Sequence, residues 1–378
     1  MIKRTIEHHI RQRLFSDKAL VIIGPRQSGK TTLLKKIYRE YQDQADFYNC
    51  DETEISRLFS DQNAAVLKSV IGSSKLIFLD EAQRVDNIGL TIKIIVDNFP
   101  DVQVLASGSS AFELSDKLGE PLTGRKWQYY LYPLSFEELA THTNLPTEIT
   151  NLKLRLLYGS YPEVVTKPGM EIENLTNLGS DYLYKDIFTL HDIRKPELIE
   201  KLLQALAFQI SSEVSYNELA QLLNSDPDTI ARYIRILERA FIIFRLPNYS
   251  TNQRNEIKRS RKIYFWDNGI RNSLLSDFRA IDLRDDIGKL WENYVVSELA
   301  KLRDNHRLLI RAHFWRSKTA AEIDYLEIQD AEIKAWEIKW NPKKRPATRA
   351  FQNTYPEAKL DLINPENYFL HLMPDSRQ

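Results

Sequence analysis

Along the first fifteen residues charged and apolar positions alternate at helical spacing, with Ile2, Ile6, Ile10 and Leu14 on one face. A short wholly apolar run, Ala19–Ile23, then stops at Gly24, which predicts a strand buried on both faces. A helix is expected from Lys30 to about Tyr41. Residues 76–79 and 102–106 repeat the buried-strand pattern around a helical stretch at 88–99. Strands alternating with helices over this length predict an α/β layer built on a parallel sheet.

After 127–132 the character changes. From about 135 to 245 the pattern is mostly helical, with breaks at Gly159-Ser160, Pro168-Gly169 and Asp226-Pro227. Residues 215–223 and 227–240 read as two helices joined by a short turn, and the apolar run 241–246 follows. Helix, turn, helix, strand is the outline of a winged helix. Past about 281 a third unit begins, with a helix at 289–302 and strands at 321–328 and 331–340. No internal repeat or low-complexity segment interrupts the chain.

Composition narrows the setting. A chain of 378 residues predicts roughly two to four domains. The net charge is zero, so no global field draws it to nucleic acid or membranes, and any such binding must come from local patches. The single cysteine, Cys50, excludes a disulfide framework or a cysteine zinc site within one chain and suits a reducing cytoplasm. The N-terminus MIKRTIEHHIRQRLF lacks the apolar core of a signal peptide. No apolar run approaches the ~20 residues that span a bilayer. A cytoplasmic protein with no membrane partner is expected.

The chemistry starts at Gly24-Pro25-Arg26-Gln27-Ser28-Gly29-Lys30-Thr31, followed by Thr32. It matches G-x-x-x-x-G-K-[ST] in full, between a predicted strand and a predicted helix. Loop N–H groups and the helix start would cradle the phosphates of ATP, and Lys30 would reach the β and γ phosphates. The Thr31 hydroxyl would hold Mg²⁺. The 76–79 strand delivers Asp80 to the sheet edge beside this loop, as a magnesium-shell ligand, and Glu81 follows as the base for the attacking water. Ser107 and Ser109, in Ser107-Gly108-Ser109-Ser110, end the next strand, where a hydroxyl could sense the γ-phosphate or simply turn the chain. Arg125, in Thr123-Gly124-Arg125, could supply positive charge to a neighbouring subunit's transition state or serve as a structural surface arginine.

GPRQSGKTTLL, LIFLDEAQ, GSSAFEL, LTGR and YPLSFEEL occur in that order. Together with GSYPEVV, DYLYKDI, TIARYIRILERAFIIFRL, KIYFWDNGIRN and GKLWENYVVSEL, they resemble prokaryotic AAA+ type ATPases of the AAA_14 kind followed by a DUF4143 region. The resemblance implies an α/β P-loop ATPase core at 1–135, a helical lid at 136–205 and a winged-helix-like segment at 206–280. It further implies a domain similar to PD-(D/E)xK nucleases at 281–378. ATP and Mg²⁺ are the expected cofactors.

Within that last region, Glu322-Ile323-Asp324-Tyr325 lies on one predicted strand and Glu337-Ile338-Lys339 on the next. Strand residues two apart share a face, so Glu337 and Lys339 point one way, and a hairpin near Gln329-Asp330 could bring Asp324 beside them. Asp324 and Glu337 are then expected to bind a metal ion, with Glu292 or Glu298 as a third acid. An ordinary half-exposed hairpin with cross-strand ion pairs fits the same residues. Basic clusters at Arg254, Lys258, Arg259, Arg261 and Lys262, and at Lys343, Lys344, Arg345 and Arg349, are suited to phosphate contacts, as are Arg232 and Arg235 on the second helix of the motif. Trp266, Trp291, Trp315 and Trp336 are expected in the core. Three functions remain open from these residues: an ATPase acting on its C-terminal domain and on DNA, an ATP-regulated nuclease, and a non-catalytic switch that holds a protein partner or a second copy of the chain.

Overall fold

The computed structural model describes residues 1–108, 121–179, 195–250, 261–317, 321–341, 343 and 349–373. They divide into two compact units: residues 1–133 with 239–241, and residues 134–238 with 242–378. The segments expected as lid, winged helix and nuclease-like domain all fall within the second unit, apart from 239–241.

The first unit is built on β1 (Ala19–Ile23), β2 (Ala45–Asn49), β3 (Leu76–Asp80), β4 (Gln103–Gly108) and β5 (Lys126–Tyr130). Their order is β2-β3-β4-β1-β5 and every pairing is parallel. Parallel neighbours need crossover connections, which is why helices fall between the strands. These are α2 (Lys30–Tyr41), α3 (Thr53–Phe59), α4 (Ala64–Ile71) and α5 (Ile88–Asn98), with α1 (Ile6–Gln12) ahead of the first strand. β1, β3 and β4 are buried along their whole length, as the apolar stretches Ala19–Ile23, 76–79 and 104–106 require. On one sheet face Ile6 and Ile10 of α1 and Leu33, Leu34 and Ile37 of α2 pack on Leu20, Ile22, Phe78 and Leu105. Truncating a side chain such as Leu34 to alanine would cost about 2–5 kcal/mol. The arrangement brings the C-terminal ends of β1, β4 and β3 side by side, and the sheet's chemistry collects there.

In the second unit, Ser135 opens a helix at Phe136–His142 with a reciprocal capping box to Glu138. Further helices run to Pro196–Phe208. The helices Tyr216–Leu222 and Pro227–Arg239 follow, with Asp226 accepting from the Thr229 amide at the start of the latter. A three-stranded antiparallel sheet accompanies them, ordered β6 (Glu213–Val214), β8 (Arg261–Phe265), β7 (Ile243–Pro247). Next come the long helix Ile287–Asn305 and a four-stranded sheet, β9 (Arg311–Arg316), β10 (Glu322–Gln329), β11 (Glu332–Ile338) and β12 (Lys359–Ile363), in the order β12-β11-β10-β9. Trp291, Tyr294, Val295 and Leu299 of the long helix bury against Phe314, Tyr325 and Tyr368. The opposite sheet face carries Trp315, Ile323 and Leu326, against which Phe351 of the helix Arg349–Thr354 packs. All four tryptophans expected in the core are buried.

Two local features fix the β10–β11 pair. Asp330 and Ala331 both have positive φ, 47° and 69°, so a two-residue turn of the mirror-image type closes the hairpin. Between Ile323 and Leu326 the β9–β10 register shifts, a bulge that bends the strand at Asp324-Tyr325. No helix among the described residues is long and apolar enough to cross a membrane.

Candidate functional site

At the end of β1 the chain turns through Gly24–Thr31 into α2. Gly24 is forced: a Cβ there would lie 2.1 Å from the Leu131 carbonyl oxygen. Gly29 is the helix N-cap at φ 98°, and no side chain caps this end of a twelve-residue helix. Its first-turn amides are thus presented to an anion rather than covered, which fits a phosphate cradle. Lys30 is nearly buried and donates to the Gly24 and Pro25 carbonyls at 3.0 and 2.8 Å. The Ser28 hydroxyl donates to the Pro25 carbonyl at 2.8 Å. Behind the loop, the buried Arg4 guanidinium donates to the carbonyls of Ser28 and Tyr132, both at 2.6 Å. Arg4 therefore braces the loop from the N-terminal arm. Its sequence signal is weak, being one more charge in a charged N-terminal stretch.

Beside the loop, Ser107 at the end of β4 links the two acids of β3's end. Its hydroxyl donates to Asp80 Oδ1 at 2.5 Å and accepts from the Glu81 amide at 3.3 Å. Glu81 adopts φ 53°, a left-handed conformation that a non-glycine residue holds at a cost of about 1 kcal/mol. Gln83 Nε2 donates to Glu81 Oε2 at 2.6 Å and orients the carboxylate. Cys50, whose amide donates to the Asp80 carbonyl at 2.9 Å, is buried, and burial pushes its thiol up to about 12. Ser109 lies outside the described residues. Arg125 is not brought to this edge. Its carbonyl accepts from Ala19 N at the opposite end of β1, and its guanidinium pairs with exposed Asp97 at 2.6 Å.

In the second unit the β10–β11 register puts Tyr325 opposite Trp336, so Asp324 and Glu337 face each other. Lys339 Nζ donates to Asp324 Oδ2 at 2.8 Å and lies 2.5 Å from Glu337 Oε2. The Ile338 amide also donates to Asp324 Oδ2, at 2.8 Å. From the long helix, Glu292 joins this group. Glu298 does not; it accepts from Lys301 and from the Phe136 amide instead. Lys262 of β8 enters from the three-stranded sheet. Its ammonium sits 2.9 Å from Glu292 Oε1 and 3.8 Å from Asp324 Oδ1, and it pairs with the Glu322 carboxylate. Tyr264 donates to Glu292 Oε1 at 2.8 Å.

Burial pushes the Glu292 carboxyl up to about 7 against the pull of Lys262. Burial, with Asp324 nearby, does the same to Glu337, also to about 7. For Lys262 and Lys339 burial disfavours the charge, yet the surrounding carboxylates outweigh it and raise both above the usual lysine value. The expected pairing of Asp324 with Glu337 is therefore present, with Lys339 against both carboxylates. Both carboxylates already bind an ammonium, and among the described residues no group of three or more His, Cys, Asp or Glu is arranged to hold a metal.

Comparison with known proteins matches residues 16–140 to the family described as AAA domain. Residues 149–280 and 287–372 match two domains of unknown function, DUF8612 and DUF4143. Residues 16–140 are thus an AAA domain and residues 287–372 a DUF4143 region. An uncharacterized protein of Methanocaldococcus jannaschii is 26% identical over 96% of this chain and 84% of its own length. An uncharacterized protein of Mycobacterium tuberculosis is 27% identical over 95% of this chain and 78% of its own. Among solved structures, a Walker-type ATPase of Pyrococcus abyssi covers 73% of this chain and 96% of its own at a TM-score of 0.50. At 15% identity that likeness concerns the fold alone, a P-loop ATPase with a parallel five-stranded sheet.

The basic patches of this AAA-domain protein separate into different kinds. Lys262, expected to contact phosphates, is instead buried among carboxylates and cannot do so. Arg254, Lys258, Arg259, Lys344 and Arg345 lie outside the described residues. Lys343, Arg349 and Arg235 are exposed, Arg232 and Arg261 half-buried.

Proposed function

We propose that this AAA-domain protein binds Mg-ATP at Gly24–Thr32 and hydrolyses it, using the cycle to act on its second unit. The observation that carries the reading is the meeting, at one sheet edge, of an uncapped helix N-terminus, a buried lysine and two acids joined through Ser107. Lys30 would exchange its two carbonyl partners for β- and γ-phosphate oxygens, which an ammonium with three donors favours. Thr31 and Asp80 would hold the magnesium ion, which supplies charge neutralisation on the phosphates. Glu81, steered by Gln83, would orient and deprotonate the attacking water. Ser107 would keep Asp80 and Glu81 in register with each other. A pure binding switch has no use for so constrained an acid as Glu81, which is why hydrolysis is favoured over occupancy alone.

DNA is the proposed second partner. The support is the winged-helix-like set of two helices and a three-stranded sheet, with Arg235 exposed on the second helix. Arg125 is proposed to act on a neighbouring copy, since it lies at the far end of β1 from its own loop. The test is steady-state ATP turnover with and without duplex, single-stranded and circular DNA, with the DNA run on a gel afterwards. Turnover that DNA stimulates, leaving the DNA intact, is the expected result. Turnover no higher than that of Glu81→Gln under every condition would sink the reading.

A further inference from the structure

The carboxylate cluster of the second unit holds a cation already, and the chain supplies it. Four acids converge there: Glu292 from the long helix, Glu322 and Asp324 from β10, and Glu337 from β11. Two ammoniums lie among them. Lys339 comes from the same hairpin and bridges Asp324 Oδ2 and Glu337. Lys262 comes from the middle strand of the other sheet and faces Glu292, Glu322 and Asp324 Oδ1.

We infer that Lys262 is the resident cation of this cluster, a built-in ammonium that excludes divalent metal and ties the three-stranded sheet to the four-stranded one. Three features support it. Each oxygen of Asp324 is spoken for: Oδ2 by Lys339 and the Ile338 amide, Oδ1 by the approach of Lys262. A Mg²⁺ or Mn²⁺ ion bonds carboxylate oxygens at about 2.1 Å, so an ion shared by Glu292 and Asp324 would compete for the place of the Lys262 ammonium. That ammonium is also locked in. Its side chain is 3% exposed, and β8 is paired on both edges, to β6 and β7. Releasing it to water would strand the buried Glu292, and breaking a buried pair is strongly unfavourable.

The inference is independent of the nucleotide site and is tested by Mn²⁺ titration of the nucleotide-free full chain, read by electron paramagnetic resonance. Asp324→Asn serves as the control because asparagine keeps an acceptor for the Ile338 amide. The parent is expected to show no Mn²⁺ binding that Asp324→Asn removes. Lys262→Met, which keeps the length and removes the charge, is expected to tighten Mn²⁺ binding about ten-fold or more. That gain should vanish in Lys262→Met/Asp324→Asn. Two results would overturn the inference: parent binding that Asp324→Asn abolishes, or a folded Lys262→Met protein with no gain. Should Lys262→Met fail to fold, the parent and Asp324→Asn titrations decide alone. None of these outcomes depends on ATP turnover, so failure here leaves the proposed ATPase untouched.

Discussion

Lys30 and Lys262 are equally hidden, 4% and 2% exposed, yet they sit in opposite electrostatic settings. Lys30 donates to the carbonyls of Gly24 and Pro25, and at the same sheet edge Asp80 and Glu81 accept from Ser107 and Gln83. Lys262 is surrounded by three carboxylates and a tyrosine hydroxyl that shares one of them. A buried charge must be compensated, and the choice of compensating group decides what else it can bind. Neutral carbonyls leave an ammonium ready for a stronger anion. Carboxylates saturate it. The comparison separates a ligand-taking lysine from a structural one at equal burial, which exposure alone could not do.

The contrast is most sharply tested where the effect is largest. Glu81→Gln should keep nucleotide binding and lower turnover by about 10²–10⁴-fold, because the amide cannot accept a proton. Single-turnover phosphate release at saturating ATP checks this, and normal turnover would show that the base is another group. Lys30→Ala should weaken Mg-ATP binding about 100-fold, the worth of two charge-assisted hydrogen bonds. Equilibrium titration with a fluorescent ATP analogue reads it. Unchanged affinity would put Lys30 in the same structural class as Lys262.

The carboxylate cluster makes the next prediction, through pH. The Glu292 carboxyl is raised to about 7 from an unfolded value near ~4.3, so between those values the folded state holds the extra proton. Its contribution to stability is full below ~4.3 and is lost as pH rises through 7. The stability of the parent relative to Glu292→Gln should therefore fall by about 1–3 kcal/mol between pH 4.5 and 8. Urea unfolding of both proteins across that range measures it, and a difference that stays flat would mean that Lys262 fully cancels the burial of Glu292. The smallest effect is expected at Arg125. Its pair with Asp97 is exposed, so Arg125→Ala should change stability by less than about 1 kcal/mol. If Arg125 acts on a neighbouring copy, turnover per chain should rise with protein concentration and the variant should lose that rise. Turnover that ignores dilution in both would leave it a surface arginine.

Much of the first unit could be read from the chain because its strands are buried on both faces. The apolar stretches of β1, β3 and β4 announce themselves, and a helix at Lys30–Tyr41 follows from the loop. β2 was missed. Its Asp46, Tyr48 and Asn49 give an edge strand no apolar run, and only its pairing with β3 makes it one. The same holds for β9 and β12, which flank the hairpin whose own alternation was legible. Asp324, Glu337 and Lys339 could be grouped because a local hairpin brings them together. Lys262 could not, since it reaches them from another sheet some sixty residues upstream. A usable signal existed: alternation along Arg261–Phe265 puts Lys262 on the face of Tyr264, whose neighbours are buried.

Strand order in the first unit has a consequence in time. β1 is made early but lies between β4 and β5, and β5 is synthesised about a hundred residues after it. At roughly 5–20 residues per second, the strand that carries the nucleotide loop waits on the order of 5–20 s for its last neighbour. Until then one edge of β1 is open, and Gly24 lacks the Leu131 backbone against which it is fitted. The loop is thus translated well before the backbone that fits it, and takes its shape only once Leu131 has been made.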